Sequence, residues 1–180
     1  MILTLIYDLV WSVPKQERVI HICNFTTTER CDCSSCTISE KSHTEPVHHG
    51  IIEIDSHADT IVFGRNCAVI HFTERECNVS PYTDAYKPIK SVKIACAGTA
   101  WTLLASVKTY ILVFNEGLWM GDKMDYTLVN PNQMHHFGMK VQDNPYDDTP
   151  LYLMTGDGDF ELPLAVQGTN IMADTYTPTE

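Results

Sequence analysis

Short apolar runs rich in β-branched residues recur from residue 51 to residue 172, and most are bounded by Gly, Pro or a polar turn. Runs of this length and composition are typical of strands, because Val, Ile, Thr and aromatic side chains suit a pleated, half-buried surface. The pattern predicts strands at residues 51–54, 60–63, 67–72, 91–97, 101–106, 110–114, 118–120, 151–154, 160–166 and 169–172. We therefore predict an all-β domain.

One segment departs from this pattern and predicts a short helix near residues 131–137. Asn130 stands where an N-cap belongs, Pro131 takes the first helical position, and Gly138 follows where a left-handed residue ends a helix. Asn, Pro and Gly are each favoured at these positions for separate physical reasons. The expected helix has about two turns of the usual 3.6 residues.

The first 49 residues read as an N-terminal arm, followed by a globular domain over residues 50–180. Thr26–Glu45 is rich in Thr, Ser, Cys and charge without a sustained period, which predicts a partly disordered linker. Residues 2–22 are more apolar and could form a strand or a short helix. The arm also holds a cysteine cluster: Cys23, Cys31, Cys33 and Cys36.

Two interpretations of that cluster stay open. Cys33 and Cys36 have the spacing of half a zinc site, but His43 follows too closely for common zinc-finger spacings. A zinc-binding adaptor is therefore one hypothesis, and an unstructured linker is the other. We expect no metal and no cofactor.

Composition argues against two classes of partner. The chain has 12 basic and 23 acidic residues, a net charge of −11, and no basic cluster. Binding to nucleic acid or to an anionic membrane draws on clustered Lys and Arg, so we expect neither partner for this domain. The apolar start lacks a basic n-region and a small-residue cleavage site, and no apolar run is long enough to span a bilayer, so we expect a cytoplasmic protein.

The most informative motif lies at residues 51–62. An apolar strand leads directly into Asp55-Ser56, then into His57-Ala58-Asp59, and a second apolar strand follows. This resembles the active-site signature of retroviral and retrotransposon aspartic proteases, in particular those of copia-type polyproteins, where apolar residues precede Asp-Thr/Ser-Gly-Ala. Residues 128–141 are similar to the late segment of that family, in which two apolar residues and a Gly lead into its helix.

The resemblance implies a retropepsin-like closed barrel of short strands and an aspartic endopeptidase that processes a polyprotein. Such enzymes use two carboxylates that share one proton, one as base on a water and the other as acid. The chain has a single Asp-Ser signature in such surroundings, so activity requires a homodimer in which each subunit contributes Asp55. By the same resemblance, Ser56 bonds across the two-fold axis.

The resemblance also implies two sets of substrate-binding residues. The first continues the motif: His57, Ala58 and Asp59. The second is the tip of a flap, a hairpin that closes over substrate, for which small residues and a Gly favour Ala97, Gly98 and Thr99. An ordinary hairpin turn at residues 95–100 is the alternative.

Two departures from the family pattern support a second function hypothesis. His57 stands where the family has the Gly of its motif, and Asn130 stands where it has Gly before the helix. These changes favour a catalytically inactive retropepsin-like module for dimerisation or peptide binding. Asp55 would then serve only to cap a turn, as Asp often does.

Other polar groups are interpreted as structural. His57 and Asp59 with His135 and His136 suggest a metal site, but adjacent helical histidines diverge by about 100° and rarely share an ion. Residues 157–159 resemble the start of a calcium loop whose remaining ligands are absent.

Overall fold

The computed structural model describes residues 17–22, 47–80, 85–105 and 108–178. In this part of the chain there are twelve strands and one helix, so the prediction of an all-β domain is confirmed. The strands are β1 (Glu17–Ile22), β2 (His49–Ile54), β3 (Val62–Gly64), β4 (Ala68–Val79), β5 (Ile89–Leu103), β6 (Lys108–Gly121), β7 (Thr127–Val129), β8 (Lys140–Gln142), β9 (Tyr152–Met154), β10 (Glu161–Pro163), β11 (Ala165–Gln167) and β12 (Asn170–Tyr176).

The helix α1 spans Pro131–His136, as predicted. Asn130 is its N-cap, with extended backbone torsions and a side chain that accepts a hydrogen bond from the Gln133 N–H at 2.9 Å. Gly138 has φ +81°, a left-handed torsion that Gly adopts without steric cost and that ends the helix. Pro131 and Met134 are the buried residues of the helix.

The main sheet has the strand order β1-β6-β3-β7-β2-β12-β5-β4, and β11 pairs with β12. β2 runs parallel to β7 with Ile54 opposite Val129, and β7 runs antiparallel to β3 with Val62 opposite Leu128. β7 is therefore inserted between the two strands that flank residues 55–61. Since α1 follows β7 directly, the helix begins beside the end of β2.

The last strand of the described chain returns to the middle of this sheet. β12 pairs antiparallel to β2 along its length, from Ile171 opposite Ile54 to Tyr176 opposite His49. Tyr176 also pairs with Ala100 of β5, and β5 pairs antiparallel to β6. A second sheet has the order β10-β9-β8.

Side chains from both sheets and from the helix meet in one hydrophobic core. Its largest fully buried members are Phe63, Phe114, Ile52, Ile61, Leu112, Met134, Leu153, Leu162 and Val129. Phe160, before β10, packs its ring 5.9 Å from Trp101 and 5.0 Å from Tyr110, joining the small sheet to β5 and β6. Aromatic contacts of this kind add to the free energy gained by burying apolar surface.

The prediction of a flap tip at residues 97–99 is wrong. Ala97, Gly98 and Thr99 lie in the middle of β5, buried, with β4 on one side and β6 on the other. Gly98 makes no turn, because it lies within the continuous strand β5 and pairs with Ala68 of β4 and Val113 of β6. β4 and β5 instead form one long hairpin, in which Val79 lies opposite Ile89.

The N-terminal arm is described in part. β1 runs parallel to β6 with Glu17 opposite Thr109, so one of the two alternatives for residues 2–22, a strand, applies to residues 17–22. The expected linker over residues 26–45 and the four cysteines of the arm (Cys23, Cys31, Cys33 and Cys36) lie outside the described residues. No helix in the described chain is long and apolar enough to cross a membrane.

Gly64→Ala is expected to destabilise the fold by about 2 kcal/mol, because overpacking against rigid backbone costs roughly 1–3 kcal/mol. A Cβ on Gly64 would lie 2.8 Å from the Met124 carbonyl oxygen and 2.6 Å from the Tyr126 carbonyl carbon. Urea unfolding measures the change in free energy of unfolding.

Gly168→Ala is the matched control for this measurement. Gly168 has φ +66°, and a Cβ added there would meet nothing within 4 Å, so alanine at this position meets backbone strain alone. A Gly64→Ala variant that is as stable as the wild-type protein would contradict the close approach of the two backbone segments.

Candidate active site

Asp55 lies at the carboxyl end of β2 and begins a tight turn. Its backbone N–H donates to the Val129 carbonyl at 3.0 Å, which joins the end of β2 to the end of β7. Its carboxylate oxygen Oδ1 accepts a hydrogen bond from the His57 N–H at 2.8 Å, and the Ala58 N–H donates to the Asp55 carbonyl at 3.4 Å. The turn thus fixes both the backbone and the carboxylate of Asp55.

The Asp55 side chain is 30% exposed, so it is partly accessible to solvent. The His57 imidazole is 96% exposed, and its Nδ1 lies 3.7 Å from Oδ1 of Asp55. Protonated His57 would therefore place a positive charge beside the carboxylate. Coulombic attraction at this distance is weakened by solvent because the imidazole is exposed.

The structure brings five of the candidate site residues together in one loop. Ser56, His57 and Asp59 are exposed, and Ala58 is partly buried beside Asp55. The other three candidates, Ala97, Gly98 and Thr99, lie in the core of β5. The Thr99 hydroxyl already has hydrogen-bond partners inside the protein. It donates to the Asn66 carbonyl at 2.7 Å and contacts the Tyr176 carbonyl at 3.1 Å.

Two amide side chains from the start of α1 hold the loop. The Asn130 amide Nδ2 donates to the Ala58 carbonyl. The Gln133 side-chain oxygen Oε1 accepts from the Ile61 N–H at 3.1 Å, and its Nε2 lies 3.4 Å from the Thr60 hydroxyl. Sequence reasoning identified Asn130 as a cap but missed its contact with the loop, and it missed Gln133 altogether.

A second carboxyl group, that of Glu53, lies on β2 two residues before Asp55. Burial, together with the negative charge of Asp55, raises the pKa of Glu53 above its ordinary value. Burial disfavours the charged form of a carboxyl group, and a like charge acts in the same direction. Glu53 is therefore expected to keep its proton to a higher pH than a fully solvated Glu.

A buried polar network lies among the strands of the main sheet, toward the start of β2. Its centre is Asn66, whose side chain is fully buried. The Asn66 Nδ2 donates to the Ile51 carbonyl at 3.1 Å and to the Thr175 hydroxyl at 2.8 Å, while Oδ1 accepts from the Thr127 hydroxyl at 2.8 Å. One amide thus links β2, β7 and β12. Asp55 follows the last residue of β2.

Cys67 adjoins the same network. Its Sγ lies 3.2 Å from the Thr127 hydroxyl, and burial raises the pKa of this thiol to about 12. A thiol with so high a pKa stays protonated at neutral pH and is a poor nucleophile. Cys67 is therefore a packing residue of the core.

Within the described residues, no group of three or more His, Cys, Asp or Glu side chains is placed to hold a metal ion. Residues 157–159 form a turn in which Asp157 Oδ1 accepts from the Thr155 hydroxyl at 2.6 Å and from the Asp159 N–H at 3.1 Å. The arm cysteines lie outside the described residues, so a zinc site there stays a prediction from the sequence.

No family model, no curated protein and no solved structure matches this chain. The features of this chain that bear on function are therefore the motif at residues 51–62, the segment at residues 128–141 and the strand pairing that joins them.

Proposed function

We propose that this chain is an aspartic endopeptidase of the retroviral type, active as a homodimer in which each subunit contributes Asp55. The observation that carries the proposal is the position of Asp55. It follows β2, its N–H bonds to Val129 of the inserted strand β7, and its carboxylate is partly open to solvent. Both sequence segments that resemble the family thus lie side by side.

The strand pairings support the proposal that strands of the main sheet close into a barrel. They run from β6 through β3, β7, β2, β12 and β5, and the pairing of β5 with β6 returns to the start. Closing a sheet in this way leaves fewer unpaired edges. The hairpin of β4 and β5 replaces residues 97–99 as the candidate flap, because it extends from the barrel strands to the pair Val79 and Ile89.

The proposed mechanism uses groups of both subunits. Two Asp55 carboxylates that face each other at a two-fold axis share one proton, because two like charges at close range are strongly disfavoured. The ionised carboxylate takes a proton from a water as that water attacks the peptide carbonyl carbon. The protonated carboxyl group donates its proton to the carbonyl oxygen, which gives a tetrahedral diol. The carboxyl group that accepted the water proton then donates it to the nitrogen while the other carboxylate takes a proton from a diol hydroxyl, and the C–N bond breaks to give a carboxylic acid and an amine.

The remaining loop residues have supporting roles in this proposal. The exposed Ser56 hydroxyl bonds across the axis and keeps the two loops together. His57, Ala58 and Asp59 contact an extended polypeptide substrate beside the carboxylates. Substrate recognition through backbone pairing suits a polyprotein segment, since an extended peptide can add to sheet edges.

A second candidate function is a retropepsin-like dimerisation or peptide-binding module without hydrolysis. The observation that favours it is the occupied carboxylate: Oδ1 of Asp55 accepts the His57 N–H and faces the His57 imidazole at 3.7 Å. Inhibition by a pepstatin-type compound distinguishes the two candidates, because that inhibitor binds a functional carboxylate pair.

The proposed dimer predicts that specific activity falls when the protein is diluted. Cleavage of an unfolded, fluorescently labelled casein is measured from pH 4 to 7 over a range of enzyme concentrations, with molecular mass in solution determined in parallel. Activity should follow the dimeric fraction, because a monomer holds one Asp55. Cleavage by a species that is monomeric at every concentration would contradict the proposal.

A further inference from the structure

The loop that carries Asp55 is held at three places, and its middle is held by side chains. Its start is joined to β7 by the bond from the Asp55 N–H to Val129. Its end is joined to β6 by the bond from the Leu118 N–H to the Ile61 carbonyl at 2.9 Å. Between these points the loop contacts the amides of Asn130 and Gln133 on the start of α1.

These two side chains form what we call the amide clamp. Asn130 uses both ends of its amide, since Oδ1 caps the helix by accepting from the Gln133 N–H while Nδ2 donates to the Ala58 carbonyl. Gln133 accepts from the Ile61 N–H with Oε1 and reaches the Thr60 hydroxyl with Nε2. The two residues are therefore coupled to each other as well as to the loop.

Two of the residues in the contacts of the amide clamp are buried. Asn130 is only 7% exposed and Ile61 is fully buried. A buried backbone group must find a partner within the protein, because losing its hydrogen bond to water is costly. The Ile61 N–H finds that partner in a side chain, so the position of the loop depends on Gln133.

We propose that Asn130 and Gln133 are positioning residues that fix the Asp55 loop, and with it the direction of the Asp55 carboxylate. The catalytic consequence rests on the proposed function. Two carboxylates share a proton across an axis only if their spacing is held, and small misplacements of reacting groups cost large factors in rate. The clamp also gives a physical role to Asn130, at which this chain departs from the glycine of the family it resembles.

The test compares four variants of the full chain. Gln133→Met removes both polar contacts at similar side-chain length, whereas Gln133→Glu keeps an acceptor for the Ile61 N–H. Asn130→Asp keeps the helix cap but replaces the donor to the Ala58 carbonyl with a second oxygen. Asn132→Ala, at an exposed position of the same helix, is the matched control.

The first readout needs no activity: amide hydrogen exchange of residues 55–61. We expect Gln133→Met and Asn130→Asp to accelerate exchange of the Ile61 amide or its neighbours by about tenfold, the effect of losing roughly one hydrogen bond. Exchange in β5 and β6 should stay unchanged, which separates a local effect from general loss of stability. Gln133→Glu should retain the protection of Ile61, and Asn132→Ala should match the wild-type protein.

The second readout is the kinetics of casein-derived peptide cleavage. A positioning role predicts that kcat falls about tenfold or more in Gln133→Met while KM changes less than about twofold, with partial rescue in Gln133→Glu. The pH profile of kcat/KM should shift as well, because the carboxylate pair is displaced.

The outcomes test the amide clamp, its positioning role and the proposed function separately. Unchanged loop exchange in Gln133→Met and Asn130→Asp would overturn the clamp whether or not the protein is active. Faster exchange with unchanged kcat in an active wild-type protein would overturn the positioning role. An inactive wild-type protein would overturn the proposed function, and the exchange data would then decide whether the clamp fixes the loop.

Discussion

Asp55→Asn is expected to lower peptide cleavage by about a thousandfold or more, since general acid–base catalysis by a placed side chain contributes roughly 10²–10⁴ in rate. Asn cannot take a proton from water or share one with the partner carboxylate. Its Oδ1 can still accept the His57 N–H that Asp55 accepts at 2.8 Å, so the turn and the fold should remain. The loss is therefore expected in kcat, with little change in the urea unfolding midpoint.

Asp122→Asn is the matched control for this substitution. Asp122 is exposed in the turn after β6. Its replacement by Asn removes the same charge from the protein as Asp55→Asn does. Cleavage by Asp122→Asn should equal that of the wild-type protein. Full activity of Asp55→Asn would end the catalytic hypothesis and leave the binding module as the better interpretation of the fold.

Mixing the two proteins adds a test of the dimer. After equal amounts of wild-type and Asp55→Asn subunits exchange, about a quarter of the dimers hold two wild-type subunits. If each active site needs both Asp55 residues, activity per total dimer should fall to about a quarter. A value near one half would mean that each subunit works independently, which contradicts a shared carboxylate pair.

Asn66→Ala is expected to destabilise the fold by about 3 kcal/mol or more, because each buried polar group that loses its partner costs roughly 1–3 kcal/mol. The substitution removes the donor to the Ile51 carbonyl and the partner of the Thr127 hydroxyl. Asn66 is fully buried, so water cannot replace these bonds without entering the core. The free energy of unfolding is measured in urea.

Asn78→Ala is the exposed control for this effect. The Asn78 Oδ1 accepts from the Ser91 N–H at 3.1 Å on the surface of the β4–β5 hairpin, where water can take its place. Asn78→Ala should lower the free energy of unfolding by less than about 1 kcal/mol, as most surface substitutions do. Equal costs at both positions would contradict the assignment of Asn66 as the centre of a buried network.

A double variant identifies the source of the cost. Thr127→Val removes the hydroxyl that donates to Asn66 Oδ1. Once Asn66 is alanine, that hydroxyl has lost this partner but still accepts from the Gly64 N–H at 3.1 Å, so removing it should cost less than it does in the wild-type protein. The cost of the double variant should therefore lie below the sum of the two single costs, which is the signature of directly interacting groups.

Local signals explain which elements could be predicted. The helix was predicted from Asn130, Pro131 and Gly138, and each of these acts within its own turn of backbone. The strand at residues 110–114 was predicted from an apolar run, and it lies within β6 with Leu112, Val113 and Phe114 buried. In both cases the deciding interactions lie close together along the chain.

The β4–β5 hairpin shows why other elements could not be predicted. Most residues of β4 are exposed, so residues 73–79 lack the apolar alternation that identifies a half-buried strand. They are held as a strand by partners distant in sequence. Examples are the bond from the Thr73 hydroxyl to the Ile94 carbonyl at 3.0 Å and the ion pair of Arg75 with Glu116.

The candidate site likewise has some features that neighbouring residues determine and others that depend on contacts between distant residues. The amino-acid sequence was enough to place Asp55 at the end of an apolar strand and Asn130 at the start of a helix, because both depend on neighbouring residues. It held no sign that Gln133 would bond to Ile61, or Asn66 to Thr175, since such pairs form only after distant strands align. The carboxylate was therefore visible in the local pattern, whereas the groups that hold it in place arise from the inserted strand β7, which brings residues 55–61 and 130–133 into contact.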